Sequence, residues 1–507
     1  MAPITNIIAT SIVAACLGSA APLSKPCRGD AVRDWVKHSG QSIEWGPCPE
    51  GLPENLDCAT YNVPLDWNAS GGHGSNQTVE LAMARIKASD KANRIGSLFV
   101  NPGGPGGAAT QILASIAGGD RLDPEITARF DVIGLDPRGT GYSTPVQCDV
   151  DAYNKRIEFA PKTQKAYDAL VQYNKDFSAT CLEQTGPLLN YVDTISAVKD
   201  HEAVRIALGD EKANFIGLSY GTQLFSQYAE LYPNNFRAMV LDGNLQHSQS
   251  PTTNFYTESS SYEATLKQFF KWCAGADECP LQGEDIESIF ISVRDKAFDS
   301  PIPAPLCDDK TCRSDVSGED LLFTVQGLLI GTQNWPVLGQ ALLDADKGNA
   351  TLISSFNSFA VGDTYADAYL YAGAAIACQD WQTETNSLSD LLEQQRLAAT
   401  FNPLTLGFCQ SFRILTSCIG WPAPVTNPPK PVVYKGDVEI LQINSLYDPS
   451  TSYTWALGLK DELEKTVLVT RNGSGHTSYN NNGEATKIAN AYLLNLTLPE
   501  PGTMTDS

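Results

Sequence analysis

The sequence predicts an α/β fold in which a mostly parallel central sheet carries helices on both faces and an inserted, mainly helical cap domain. Short buried strands alternate with helical segments through the first half of the chain, as in a parallel sheet covered on both sides. Beyond residue 246 helical patterns continue without such strands, and strand patterns return after two proline-rich stretches. We therefore expect four parts: a signal peptide over 1–21, a first part of the sheet domain over 22–245, a cap over 246–430, and a C-terminal part of the sheet domain over 431–507.

The individual elements follow from the hydrophobic period. Alternation or a short buried run predicts strands over 79–86, 96–100, 130–135, 214–218, 239–241, 438–443 and 466–469. Helical spacing predicts helices over 193–208, 222–231 and 484–494. Residues 27–75, rich in Cys, Gly, Trp and Pro, are predicted to form an irregular lead-in.

Charge and composition exclude several classes of function. The formal net charge is −23, and a field of that sign repels nucleic acid and anionic lipid, so neither is expected as a partner. Hydrophobic residues make up 42% of the chain and charged residues 18%, which is ordinary for a globular protein. Beyond the N-terminus no segment is apolar and long enough for a membrane helix, so integral membrane association is not expected.

The N-terminus resembles an export signal. Residues 1–17 are apolar, uncharged and too short to span a bilayer, and small residues follow at 18–21, as a signal peptidase requires. We expect cleavage near Ala20 or Ala21 and a secreted, extracellular protein. The alternative is a buried N-terminal helix.

Cysteine usage and glycosylation sequons point the same way. Loss of Cys16 with the signal would leave 12 of the 13 cysteines, an even number that suits disulfides in an oxidising compartment. The metal-binding alternative lacks a CxxC or HExxH motif, and neither a metal nor another cofactor is expected. Close pairs stand at Cys48/Cys58, Cys273/Cys279 and Cys307/Cys312, and glycosylation sequons at Asn68, Asn76, Asn349, Asn472 and Asn495.

The most informative motif is Gly-Leu-Ser-Tyr-Gly over 217–221, between a predicted strand and a predicted helix. In that context a G-x-S-x-G sequence forms a sharp turn that strains the serine backbone and exposes its hydroxyl at the carboxyl end of the sheet. Ser219 is therefore predicted to be the nucleophile of an α/β-hydrolase fold. The alternative is an ordinary glycine-rich turn.

A serine hydroxyl needs a base, and in this fold the chain order is serine, acid, histidine. Three of the five histidines precede Ser219, and His247 follows it too closely to leave room for an acid on a later strand. His476, in a loop after a predicted strand, is therefore the predicted base. Asp448 is the predicted acid because it follows the strand over 438–443, and Asp242 is the alternative.

An oxyanion in the transition state needs two hydrogen-bond donors. One is expected to be the backbone N–H of Tyr220, directly after the nucleophile. The other is expected from the glycine-rich loop over 101–107, and we assign it to Gly104. A phosphate-binding loop is excluded because the spacing matches neither G-x-G-x-x-G nor a P-loop.

Several motifs of the chain resemble secreted tripeptidyl aminopeptidases and the proline-iminopeptidase-like branch of α/β-hydrolase peptidases. They occur in the family's order from about residue 45 to 480, although the glycine loop begins Asn-Pro rather than His-Gly. The matching stretches are 45–48, 58–60, 63–67, 101–107, 130–143, 217–221, 378–380, 447–449 and 475–476.

The resemblance implies a cap over the site, a TAP-like C-terminal part with Asp448 and His476, and cleavage of short peptides from a free N-terminus. Such cleavage requires a carboxylate that binds the substrate ammonium group, and Asp380 is a candidate. Two other functions stay open. One is an esterase or amide hydrolase acting on a small natural product, since one triad serves many acyl transfers. The other is a catalytically silent binding protein.

Overall fold

The computed structural model describes residues 28–69, 74–118, 122–362, 364–481 and 483–506. The predicted signal peptide lies outside these residues. Within them the strands are β1 (Gly46–Pro47), β2 (Asp57–Pro64), β3 (Thr78–Ile86), β4 (Gly96–Asn101), β5 (Phe130–Leu135), β6 (Ala213–Leu218), β7 (Phe236–Asp242), β8 (Ile302–Pro303), β9 (Asp315–Val316), β10 (Ile440–Tyr447), β11 (Thr466–Ser474) and β12 (Met504–Asp506). The α-helices are α1 (Arg28–Ser39), α2 (Ala109–Ala117), α3 (Pro124–Arg129), α4 (Val150–Asn154), α5 (Gln164–Thr185), α6 (Thr194–Ala207), α7 (Tyr220–Leu231), α8 (Pro251–Gly275), α9 (Ile286–Asp299), α10 (Gly318–Leu329), α11 (Trp335–Asp346), α12 (Thr351–Ser355), α13 (Thr364–Asp380), α14 (Leu388–Phe401), α15 (Gln410–Ser417), α16 (Tyr453–Glu462) and α17 (Glu484–Asn495).

The central sheet has ten strands among the described residues, in the order β1-β2-β3-β5-β4-β6-β7-β10-β11-β12. From β5 onward every neighbouring pair is parallel, and β1, β2 and β3 form an antiparallel edge. The order places β6, β7, β10 and β11 side by side, so the loops after them meet at one edge of the sheet. This arrangement confirms the predicted, mostly parallel α/β sheet and is that of an α/β hydrolase.

Alternate residues of the strands bury opposite faces of the sheet, because strand side chains have a period of two. In β4, Phe99 belongs to the core on the α6 and α7 side, whereas Leu98 and Val100 belong to the core against α2, α3 and α17. Both faces are therefore covered by helices, as predicted. The loops at the strand ends are therefore the part of the sheet that the helices on its two faces do not cover.

Between β7 and β10 the chain forms helices α8–α15 and a short antiparallel hairpin, β8 and β9. Much of this region packs around its own apolar core, which includes Phe255, Tyr262 and Phe412. The hairpin is the strand structure that the helical pattern did not predict.

The lead-in is more regular than predicted. Residues of β2 pair with β3 along its whole length, from Asp57 opposite Arg85 to Pro64 opposite Thr78. Ala59, Tyr61 and Val63 are buried on the sheet. Their alternation with more exposed residues is the sequence pattern that indicates a strand. The surrounding prolines and glycines favoured an irregular segment instead.

The disulfides extend the predicted set. Cys48–Cys58, Cys273–Cys279 and Cys307–Cys312 are bonded as predicted. Cys148–Cys181 and Cys378–Cys418 are also bonded, and the second links α13 to the end of α15. Within the described part of the chain Cys409 has a free thiol and is buried.

Four of the predicted glycosylation sites are exposed, and Asn349 is half-buried. Over the residues that the structure describes, no helix is long and apolar enough to cross a membrane. The same residues hold no cluster of three His, Cys, Asp or Glu side chains suited to a metal ion.

Candidate active site

Ser219 occupies the turn between β6 and α7. Its backbone angles, φ 56° and ψ −126°, lie where few non-glycine residues are found, and this strain is typical of a nucleophile turn. The turn requires the glycine on each side. A Cβ at Gly217 would lie 2.4 Å from the carbonyl oxygen of Gly221, and a Cβ at Gly221 would lie 2.8 Å from that of Asn101.

His476 and Asp448 come from the loops after β11 and β10. The Nδ1 atom of His476 lies 2.9 and 3.0 Å from the two carboxylate oxygens of Asp448, which is fully buried. The backbone N–H groups of Ser450 and Thr451 and the Thr451 hydroxyl also donate to Asp448. These donors fix the carboxylate, and its orientation leaves Nε2 as the ring nitrogen of His476 free to act as a base.

The electrostatic surroundings favour a protonated imidazole at His476. Burial lowers its pKa, but the negative charge and hydrogen bond of Asp448 outweigh burial and raise the pKa above its ordinary value. An imidazolium formed when the base accepts a proton is therefore stabilised where it forms.

Asp242, the alternative acid, has another role in the structure. Its carboxylate accepts hydrogen bonds from the backbone N–H groups of Ser478 and Tyr479, both at 2.7 Å, and its carbonyl oxygen accepts from the N–H of Ser219 at 2.9 Å. Burial raises its pKa to about 6. Asp242 thus connects the turn of the serine to the loop of His476 through backbone contacts.

The two residues predicted to stabilise an oxyanion lie near the serine. Tyr220 is the first residue of α7, where a backbone N–H has no acceptor within its own helix. Gly104 lines the same cavity as Ser219. The sequence did not single out Gly103, whose α-carbon packs so closely that an added Cβ would be 2.8 Å from the backbone nitrogen of Tyr220.

A cavity of about 50 Å³ adjoins Ser219 beneath the helical insertion. Glu258 of α8 contributes the one ionisable side chain among the described residues that line it. Sequence reasoning missed Glu258, although it falls between Phe255 and Tyr262 on the buried face of a helix, where a carboxylate is unusual. Trp381 and Trp455 also line the cavity.

The carboxylate of Glu258 is held by uncharged donors. The side-chain amide of Gln326 donates at 2.7 Å, the backbone N–H groups of Gln410 and Ser411 donate at 3.1 and 2.9 Å, and the hydroxyl of Ser411 donates as well. No cationic side chain lies within 4 Å in the described part of the chain. Burial raises the pKa of Glu258 to about 7.

The structure does not place Asp380 where the expected role in substrate binding requires it. Asp380 is fully buried at the end of α13, does not line the cavity at Ser219, and accepts hydrogen bonds from Thr194, Gln223 and Asn427. Burial raises its pKa to about 7. Asp380 instead stabilises the nucleophile turn indirectly, because Thr194, which bonds Asp380, also bonds the hydroxyl of Tyr220.

The other described histidines lie elsewhere. The ring of His201 bonds the carbonyl of Ala197 within α6, and that of His247 bonds the carbonyl of Asp380 and the side chain of Gln227. His38 bonds the carbonyl of Asp34 within α1. His73 lies outside the described residues.

Two family models match this chain: residues 96–295 match the alpha/beta hydrolase fold, and residues 408–505 match a TAP-like protein. The chain is 28% identical to serine protease Hip1 of Mycobacterium tuberculosis in an alignment over 485 residues that covers 91% of this chain and 91% of that protein. It is 28% identical to carboxylesterase B of the same species over 478 residues, covering 90% of this chain and 88% of that protein. It is 24% identical to tripeptidyl aminopeptidase of Streptomyces lividans over 468 residues, covering 89% of this chain and 83% of that protein.

The fold and these matches define a hydrolase. The chain combines the alpha/beta hydrolase fold with a TAP-like C-terminal part, and its similarity to a serine protease and a tripeptidyl aminopeptidase supports a place in the TAP-like α/β-hydrolase family.

Proposed function

We propose that this protein is an exported serine peptidase that cleaves short peptides near a free N-terminus through an acyl-enzyme. Ser219 is the nucleophile, His476 the general base and acid, and Asp448 the orienting carboxylate. The observation that carries the proposal is the pair of contacts, 2.9 and 3.0 Å, between His476 Nδ1 and Asp448 in the loops beside the Ser219 turn. The similarity to a serine protease and to a tripeptidyl aminopeptidase supports it.

The reaction would proceed in two acyl transfers. The Oγ of Ser219 attacks the substrate carbonyl carbon while His476 takes its proton, and the backbone N–H groups of Gly104 and Tyr220 stabilise the oxyanion. His476 then returns the proton to the leaving amine as the C–N bond breaks. Water attacks the resulting ester by the same sequence and releases the acid and free Ser219.

Selection of a free N-terminus is assigned to Glu258. Its carboxyl group lines the cavity beside Ser219, and a substrate ammonium group bound there would favour its ionised form. All of its hydrogen-bond partners are uncharged, so the ammonium group would be a cation in direct contact with it.

The catalytic roles are tested with a serine-reactive fluorophosphonate probe. Wild type should be labelled and Ser219→Ala should not. Equal labelling of both proteins, or failure to label folded wild type, contradicts the assignment and favours a silent scaffold.

The exopeptidase mode is tested by comparing each peptide with its N-acetylated form. Blocking the amine should lower kcat/KM by about tenfold or more, because a charge-assisted contact is lost. Glu258→Gln should reduce that ratio toward one, whereas Glu393→Gln, which alters an exposed ion pair, should keep it. Indifference of wild type to acetylation contradicts an N-terminal exopeptidase.

An esterase or amide hydrolase acting on a small natural product is the second candidate, and the similarity to carboxylesterase B favours it. Kinetics on matched p-nitrophenyl esters and peptide amides with the same acyl group separate the two. A peptidase should cleave the amide with a kcat limited by acylation, whereas turnover of the ester alone supports the esterase.

Export and glycosylation belong to the same proposal. Five disulfides among the described residues suit an oxidising compartment, and four exposed sequons are accessible to glycosylation. Expression in a eukaryotic secretory host should deliver the protein to the medium with a mass that falls on treatment with an N-glycosidase. Retention inside the cells with an unchanged mass contradicts it.

A further inference from the structure

A second cavity adjoins the one at Ser219. Its volume is about 200 Å³, and the two share the wall residues Gly104, Pro105, Gln410 and Ile414. Gly104 is also the proposed oxyanion donor, so a substrate bound to the oxyanion hole lies next to this space. The reaction described above gives the second cavity no role.

The walls of this cavity are aromatic. The ring of Phe177 contacts those of Tyr153, Tyr173 and Trp421, with centroids 5.7, 6.1 and 6.2 Å away. Tyr369 lies against the glycine loop, since a Cβ at Gly104 would be 3.3 Å from its ring. Such walls bury methylene groups or another ring.

One cation, Arg413 of α15, lines the cavity. Its guanidinium lies 5.4 Å from the centroid of Phe159 and 5.6 Å from that of Phe323, and it donates to the hydroxyl of Tyr153 at 3.2 Å. No carboxylate lies within 4 Å of Arg413 in the described part of the chain, and none of the described lining residues is Asp or Glu. In a chain with 58 acidic and 35 basic residues, an arginine without a carboxylate partner inside an aromatic cavity is unusual.

The Tyr153 hydroxyl beside the guanidinium adds to the preference of the cavity for an anion. Because the Tyr153 hydroxyl accepts from Arg413, its own proton remains available to a ligand. The hydroxyl of Tyr173 donates to the carbonyl oxygen of Tyr153 at 3.0 Å, so the donors left for a ligand are Arg413 and the Tyr153 hydroxyl. The cavity therefore offers donors and apolar surface to an anionic end group.

The position of the cavity indicates which part of a substrate it receives. His476 must protonate the leaving amine, so the leaving group lies on the His476 side. The residues around His476, including Gly475 and Thr477, line a different cavity that adjoins the glycine loop at Pro102 and Gly107. The aromatic cavity is reached past Gly104 and Pro105 instead, which is the direction of the acyl part.

We propose that the aromatic cavity is a specificity subsite that binds a carboxylate-bearing side chain in the acyl part of the substrate, with Arg413 as its anion-binding residue. In a peptide this is an acidic residue upstream of the cleaved bond. The inference rests on the proposed acyl transfer at Ser219. It adds a preference for negative charge that neither the triad nor Glu258 would produce.

The test uses tripeptides with a free N-terminal amine and a C-terminal aminomethylcoumarin amide. Two positions are Ala, and the third, varied in turn over all three positions, is Glu or Gln. Wild type should prefer Glu to Gln at one or more positions by about tenfold in kcat/KM, the effect of one charge-assisted hydrogen bond. Arg413→Gln should bring the ratio to about one while the Gln peptides keep their rates within about threefold. Arg396→Gln, which alters an exposed arginine paired with Glu393, should keep the wild-type ratio.

A wild-type ratio of one or less at all three positions, or an unchanged ratio in Arg413→Gln, overturns the proposal. If Arg413→Gln does not fold, the wild-type ratios decide by themselves. A binding measurement separates this subsite from the peptidase assignment. On the Ser219→Ala protein, calorimetry should find 3-phenylpropanoate bound about tenfold more tightly than 3-phenylpropanamide. Equal binding of the acid and the amide contradicts the subsite, even if the protein cleaves peptides. Tighter binding of the acid supports the subsite, even if the protein cleaves no peptide.

Discussion

Gly103 packs so closely against Ser219 that a Cβ on Gly103 would lie 2.7 Å from the Cβ of Ser219. The same hypothetical atom would lie 2.4 Å from the carbonyl oxygen of Leu218 and 2.8 Å from the nitrogen of Tyr220. The loop after β4 and the nucleophile turn after β6 are therefore set at a fixed separation by the absence of one side chain. The two proposed oxyanion donors, one from each loop, depend on that separation.

Gly103→Ala should lower kcat by about 10²-fold or more, the effect of losing one oxyanion donor, because the new methyl group must push the two loops apart. Gly209→Ala is the matched control. Both glycines have positive φ, 91° and 78°, but a Cβ at Gly209 meets nothing within 4 Å. Steady-state kinetics on a common substrate should separate them, and equal losses in both variants would trace the effect to backbone strain alone.

Asp448→Asn and Asp242→Asn should have unequal effects, although both carboxylates are buried near His476. Loss of the carboxylate that orients the imidazole costs about 10⁴-fold in kcat in a serine triad. The carboxylate of Asp242 accepts hydrogen bonds from the backbone N–H groups just beyond His476, so its amide variant should lose about tenfold while the loop stays in place. The measurement is kcat for each folded variant, and a greater loss in Asp242→Asn would reverse the two assignments.

The pH dependence of kcat/KM should follow the neutral fraction of His476. The base acts when deprotonated, so activity is present above its pKa and is lost as the pH falls through it. Because Asp448 raises that pKa, the midpoint of the acid limb should lie above the ordinary value of 6.5. Glu258 also raises the pKa of His476, so Glu258→Gln should move the midpoint to lower pH. A wild-type midpoint below 6.5 would contradict this electrostatic description.

Asp200→Asn should destabilise the fold although Asp200 contacts none of the proposed catalytic residues. Asp200 accepts two hydrogen bonds from the fully buried Arg138, at 2.6 and 2.7 Å, and one from the Trp67 indole at 2.9 Å. Removal of one charge leaves the guanidinium buried and uncompensated, which costs about 3–5 kcal/mol of unfolding free energy. Urea denaturation measures this loss. The exposed control Glu393→Gln should change stability by less than about 1 kcal/mol, and a similar loss in both would mean that burial does not determine the effect.

The sheet could be predicted because its strands are short, buried and locally periodic. The strand predicted over 130–135 matches β5 at both ends, and the serine turn follows from Gly217, Ser219 and Gly221 in their strand–helix context. His476 and Asp448 could be predicted because they follow strands in the order that the fold requires. For the sheet and the serine turn the evidence lies within a few residues of the position concerned, whereas His476 follows from excluding the four other histidines of the chain.

The substrate side of the site could not be predicted in this way. Asp380 and Glu258 are both acidic residues in helices of the insertion, and the sequence around them does not reveal which one faces the serine. That choice depends on how α8, α13 and α15 pack, which involves residues more than 100 positions apart. Arg413 and its aromatic neighbours are likewise brought together from α4, α5, α13 and α15 by tertiary packing.

The chain leaves the sheet after Asp242 and returns at Ile440, on strands that lie next to each other, with Leu441 opposite Val240. Asp242 lies opposite Ile443, so the departure and return of nearly 200 residues lie on neighbouring strands about 4.8 Å apart and are offset by three residues along them. A segment inserted between two such neighbouring strands can be lengthened, shortened or exchanged without moving the strands that carry Ser219, Asp448 and His476. The catalytic residues and the residues that select the substrate therefore lie on separate stretches of the polypeptide. Exchange of residues 243–439 between relatives should change substrate specificity and leave the catalytic residues in place.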